Sequence, residues 1–131
     1  MTEIVFENLR MSVATNGDSI SLSFHVDSGH MEFNITLPLT AKDLAVIESD
    51  EERRTFLQAA LHQPFQLKNT NLNETEQRQY LDTILHAPPP ETEAFLTDLD
   101  NGVANGAISN MVRITRGIDP AAMRNGKWFM V

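Results

Sequence analysis

Residues 19–37, Ser-Ile-Ser-Leu-Ser-Phe-His-Val-Asp-Ser-Gly-His-Met-Glu-Phe-Asn-Ile-Thr-Leu, carry the strongest local pattern in the chain. Ile20, Leu22, Phe24 and Val26 alternate with Ser19, Ser21, Ser23 and His25, and Met31, Phe33, Ile35 and Leu37 alternate with Glu32, Asn34 and Thr36. A period of two is expected of strands that bury one face of a sheet, and Asp27-Ser28-Gly29-His30 between the two runs has the composition of a turn. The stretch therefore predicts an antiparallel hairpin. Upstream, Val5, Leu9, Met11 and Val13 supply a first strand, and Asn16-Gly17 marks the turn out of it. The first forty residues thus read as a three-strand meander.

Beyond Pro38 the period changes to that of helices. Thr40-Ala41-Lys42-Asp43 resembles a capping box with Asp in place of Glu, and Leu44 and Ile47 follow it. Ser49-Asp50-Glu51-Glu52 is a second box ahead of Phe56, Leu57, Ala60 and Leu61, so two consecutive helices or one kinked helix are expected. Pro64 ends that segment. The stretch 69–73 reads as a loop whose last residue, Asn73, caps a helix carrying Glu76, Tyr80, Leu81, Ile84 and Leu85. Pro88-Pro89-Pro90 reads as a stiff spacer into a fourth helix with Phe95, Leu96 and Leu99.

In the last quarter Ile108, Val112 and Ile114 suggest a strand over 107–116, and Trp128, Phe129, Met130 and Val131 a short terminal one. Between them Asp119-Pro120 starts a helical turn that Asn125-Gly126 closes. The order of elements predicts one α+β domain over residues 1–131, an antiparallel sheet of the N-terminal three-strand meander plus C-terminal strands packed against three to four helices. The N- and C-terminal strands are expected to share that sheet, because two strands alone are marginal.

The 131 residues carry 18 acidic and 10 basic side chains, a net charge of −8, and no cysteine. Without thiols there is no disulfide framework, thiolate zinc site, iron–sulfur cluster or cysteine nucleophile. Residues 105–131 are net basic while the rest is acidic, and an acidic body disfavours both nucleic acid and anionic membranes. No run reaches the ~20 apolar residues of a membrane span, and the N-terminal residues lack the basic and apolar regions of a signal peptide. The expected location is cytoplasmic.

None of the motifs that carry chemistry is present. Among His25, His30, His62 and His86 there is no H-E-x-x-H spacing and no helical i,i+4 pair, so they read as structural and no metal ligand is assigned. Asp98-x-Asp100-Asn101-Gly102 has the glycine one place too early for a calcium loop, and position twelve is Ser109. No serine lies in a G-x-S-x-G elbow, and no glycine-rich phosphate loop occurs. Arg113, Arg116, Arg124 and Lys127 beside Trp128 are too few for a nucleic-acid groove. No catalytic residue and no cofactor is assigned.

What remains points to binding. Asp50, Glu51 and Glu52, with Glu48 and the pairs Glu74/Glu76 and Glu91/Glu93, are the candidate acidic surface for a basic protein partner. Asp50 also stands i,i+4 from Arg54, and acids on a first helical turn are stabilised by the helix dipole. The neutral outward strand face of Ser19, Ser21, Ser23, Asn34 and Thr36 is a second contact surface, unless C-terminal strands or a loop cover it. The expected function is that of a small acidic module that neutralises or escorts a basic protein, as an immunity protein or a secretion chaperone does, by analogy of class alone. The alternatives are a small enzyme with a carboxylate/histidine site and a self-associating homo-oligomeric subunit.

Overall fold

The structure is a computed structural model that describes residues 2–28, 31–66 and 71–130. Four strands form one antiparallel sheet in the order β1-β2-β3-β4: β1 Thr2–Phe6, β2 Met11–Asn16, β3 Ser19–Ser28 and β4 Met31–Leu39. The hairpin of β3 and β4 pairs Leu22 with Leu37 and Phe24 with Ile35, in the register the alternation predicts. Gly29 and His30 of the predicted turn lie outside the described residues, as do residues 69 and 70 of the predicted loop.

The predicted single first strand is two. Glu7–Leu9 forms one 3-10 turn that Arg10 closes in the left-handed region, at φ 51°. Leu9 is buried there, and the chain reverses so that Val5 faces Ser12 across the pair. No Gly or Pro marks this corner, which is why the apolar residues on either side of it read as continuous.

Six helices follow: α1 Ala41–Ser49, α2 Glu51–His62, α3 Glu74–Leu81, α4 Pro89–Asn101, α5 Ala107–Arg116 and α6 Pro120–Arg124, with a π-helical turn at Asp82–His86 extending α3. The Thr40/Asp43 and Asn73/Glu76 capping boxes both form. At α2 the cap is Asp50, whose carboxylate accepts from Arg53 N, whereas Ser49 belongs to α1 and its hydroxyl donates to the Ala45 carbonyl. Asp119 caps α6 with Pro120 at its first position.

The C-terminal strands predicted from sequence do not exist among the described residues. Residues 107–116 are helix α5, and 128–130 have no regular structure. Ile108, Met111, Val112 and Thr115 follow the i, i+3, i+4, i+7 spacing of a helix face, Ile108 and Val112 are buried, and Ile114, which completed the alternating pattern, is 64% exposed. Gly106 and Gly117, both at positive φ, bracket the helix. The sheet is therefore completed by β1 and not by the C-terminus, within the expected α+β class.

Met11, Val13, Leu22, Phe24, Val26 and Leu37 line the inner face of the sheet. Helix α2 is the central helix: every residue from Thr55 to Leu61 is buried, as expected of a helix packed on all sides. Phe56 meets Trp128 and Phe129 edge to face at 5.9 and 5.2 Å, and Trp128 is fully buried. The outer face carries Glu3, Val5, Ser12, Ala14, Ser21, Ser23, Asn34 and Thr36 by register, and none of these is buried. The buried hydrophobic residues of the sheet and helices form one cluster on the inner side. No helix among the described residues is long and apolar enough to cross a membrane.

Candidate functional site

Strand β3 outruns its neighbour. β2 begins at Met11, opposite Phe24, so residues 25–28 pair only with β4 and present a bare edge. An unpaired edge must find partners. His25 N donates to Arg10 O at 3.1 Å. Asp27 N donates to His62 Nε2 at 3.3 Å, and the Gln66 side chain donates to Asp27 O at 2.9 Å. The end of α2 and the turn after it thus stand in for the missing strand.

This corner collects titratable groups. The Asp27 carboxylate meets His25 Nε2 at 2.9 Å through Oδ1 and Arg10 at 3.2 Å through Oδ2, while Glu32, opposite Asp27 in the register, comes to 3.9 Å from His25 Nε2. The hydrogen bond from His25 holds the Asp27 carboxyl below its ordinary value, assisted by Arg10. Burial pushes the His62 pKa down, and its Nε2 must be unprotonated to accept the Asp27 amide. A cleft of about 180 Å³ lies over the corner, lined by Arg10, His25, Asp27, Gln58, His62 and Met111 among others. Gln58 is 5% exposed and its amide oxygen has no hydrogen-bond partner among the described residues. The cleft is smaller than the ~300 Å³ at which ligand pockets commonly begin, and both imidazoles are engaged, so no general base stands free over a substrate-sized space.

A second cluster lies between α1 and α3. Asp43 is fully buried and takes two bonds from Arg78, at 2.9 and 2.7 Å, one from His86 Nε2 at 2.7 Å and one from Thr40 N at 2.9 Å. Desolvation would raise its pKa, but the Arg78 bonds, the Thr40 amide and His86 outweigh it and hold the carboxyl down at about 2. Arg78 also reaches Asp82 at 2.8 Å. With the guanidinium filling the space between the acids, this cluster is a fastener of α1 to α3 and the π turn.

Of the eight acids predicted as a partner surface, five are engaged within the chain. Asp50 caps α2 and pairs with Arg53 at 3.5 Å, not with Arg54; Arg54 instead lies over the Phe6 ring and donates to Ile47 O. Glu51 pairs with Arg116 at 3.3 Å. Glu76 completes the α3 capping box. Glu93 accepts from Trp128 N and Phe129 N at 2.7 and 3.1 Å, and Glu52 accepts from Met130 N at 2.8 Å. Glu52 and Glu93 therefore strap down the C-terminal segment, a role with no local sequence signal because the partners are 78 and 35 residues away. Glu48, Glu74 and Glu91 are exposed, with no side-chain partner among the described residues. Asp100, from the calcium-loop look-alike, accepts from Ser109 N at 2.9 Å and so caps α5.

A cleft of about 510 Å³ lies between α3 and α4 with Leu72, Tyr80, Phe95 and Val103 in its wall. Comparison with protein-family models, with curated proteins and with solved structures gives no match.

Proposed function

We propose that this chain is a protein-binding module whose contact surface is the open face of its sheet and whose partner is a basic protein segment. The observation that supports this reading is the four-stranded outer face itself, with every buried cluster residue gathered on the other side. Ser12, Ser21 and Ser23 on the two central strands and Asn34 and Thr36 on β4 beside them carry no charge to desolvate, as favours an interface centred there. At its margins Glu3, Asp27 and Glu32 outnumber Arg10, and the whole chain is at −8, so the complementary partner is basic. Glu48, Glu74 and Glu91 add attraction at longer range, which raises the association rate. Neutralising or escorting such a partner, as an immunity protein or a secretion chaperone does, is the role this surface suits.

The test uses the tagged protein as bait in a lysate of its own cells, with variants that separate the two surfaces. Ser23 and Thr36 face each other across β3 and β4, with their hydroxyls 3.1 Å apart. A Ser23→Arg/Thr36→Arg double variant places two cations in the neutral centre, whereas Glu48→Lys/Glu91→Lys alters only exposed helix ends. The expected result is one basic protein recovered in near-equal amount by the wild type, lost from the arginine variant and captured more slowly by the lysine variant. Undiminished recovery by the arginine variant would overturn the assignment of the face. Recovery of the bait alone would overturn the partner and favour self-association.

A further inference from the structure

We propose that His25, Asp27 and Glu32 form a binding site for one first-row divalent transition cation at the end of the β3–β4 hairpin. One nitrogen or oxygen from each residue lies within 4.8 Å of the other two. His25 Nε2 is 2.9 Å from Asp27 Oδ1 and 3.9 Å from Glu32 Oε1. Bonds of about 2.0–2.1 Å in a tetrahedral site place donors about 3.3 Å apart. The two distances bracket that value, and the Glu32 side chain, 69% exposed, is free to close the difference. The backbone sets the arrangement: His25 and Asp27 stand two apart on one face of β3, and Glu32 is the cross-strand partner of Asp27.

Two further observations favour a cation here. Asp27 and Glu32 are like charges placed directly opposite each other, which destabilises a strand pair unless a positive charge compensates. Arg10 supplies one positive charge to Asp27, through Oδ2, and leaves Oδ1 to His25, and Glu32 has no arginine or lysine partner among the described residues. Separately, Gln58 lines the cleft shared by His25 and Asp27, and its buried amide oxygen, without a hydrogen-bond partner among the described residues, is an acceptor of the kind to which a cation-bound water donates. One imidazole and two carboxylates suit Zn²⁺, Mn²⁺ or Co²⁺, whereas magnesium and calcium favour all-oxygen sites. Three protein ligands leave an open position toward solvent. The other grouping of possible ligands, Asp43, Asp82 and His86, is filled by the Arg78 guanidinium at 2.7–2.9 Å.

Chelator-treated full-length protein titrated with Co²⁺, read by visible absorption, and then with Zn²⁺ as competitor tests the site. The expected result is one equivalent of Co²⁺ displaced by one equivalent of Zn²⁺ but not by excess Mg²⁺. His25→Gln and Glu32→Gln should each weaken binding at least about tenfold, since even outer-shell losses cost that much, while His86→Gln leaves it unchanged. Absence of saturable Co²⁺ binding would overturn the proposal, as would affinity unchanged in Glu32→Gln or lost in His86→Gln. Because Glu32 is exposed, its variant remains decisive even where His25→Gln unfolds.

Discussion

Replacing Asp43 by Asn is the most informative single perturbation of the fold. The substitution keeps the shape and an acceptor oxygen for Thr40 N, but removes the charge that faces Arg78 and His86 and turns an NH₂ group toward one of those donors. The carboxyl ordinarily titrates at 3.8 and is held at about 2 in the folded chain. At about 1.4 kcal/mol per decade that difference corresponds to roughly 2.4 kcal/mol. The Arg78 side chain is 37% exposed and keeps Asp82, so solvent screening lowers the figure to about 1–2 kcal/mol. Because the folded value lies below the unfolded one, this stabilisation is present above pH 3.8 and is lost as the pH falls through that value toward 2. Urea unfolding followed by circular dichroism should therefore show Asp43→Asn about 1–2 kcal/mol less stable at pH 7, with the gap closing between about pH 5 and pH 2. A variant as stable as wild type at pH 7, or a gap that stays constant down to pH 2, would refute the claim that the charge network fastens α1 to α3.

His62 gives a pH effect in a different range. Burial lowers its pKa below 6.5, so the stability that its neutral ring supplies to the β3 edge is present above pH 6.5 and lost as the pH drops below it. The urea midpoint of the wild type should fall more between pH 7 and pH 5 than that of His62→Gln, which retains an acceptor for Asp27 N; equal falls would contradict this. Glu93→Ala removes the charged acceptor of Trp128 N and Phe129 N and should cost about 1.5–3 kcal/mol, with tryptophan emission shifting to the red ahead of global unfolding as the C-terminal segment peels from Phe56. Retention of the wild-type emission up to the main transition would show that the segment is held by packing alone.

Much of the architecture was legible because it is local. The β3–β4 hairpin, the Thr40/Asp43 box, the Asn73 cap with Glu76 and the Asp119-Pro120 start all reside in a few adjacent residues, whereas the expected Ser49/Glu52 box gives way to an Asp50 cap. The first strand and the C-terminus misled for a physical reason: Arg10 turns the chain in a conformation that only glycine signals reliably, and Ile108 and Val112 fit both the strand and the helix period, so that Ile114, which fits only the first, decides wrongly until Met111 and Thr115 are weighed as part of the stripe. The acid cluster was visible as composition but not as structure. That Glu52 and Glu93 hold the backbone of 128–130, while Glu48 and Glu91 do not, depends on tertiary placement. For the same reason Glu51→Lys/Glu52→Lys would disturb the C-terminal strap as well as any encounter surface, and the exposed Glu48 and Glu91 are the cleaner probes. The grouping of His25, Asp27 and Glu32 was by contrast accessible from sequence: once the hairpin register is drawn, an i,i+2 pair and its cross-strand neighbour share one face.

The absence of cysteine makes the open sheet face directly measurable. A single thiol at Thr36→Cys, beside Ser23 on that face, can be labelled at matched pH in the free protein and in the recovered complex, with Glu91→Cys on α4 as the reference. If the face is the contact surface, labelling at position 36 slows several-fold in the complex while the rate at position 91 is unchanged. Equal rates at position 36 in both states would contradict docking on the sheet.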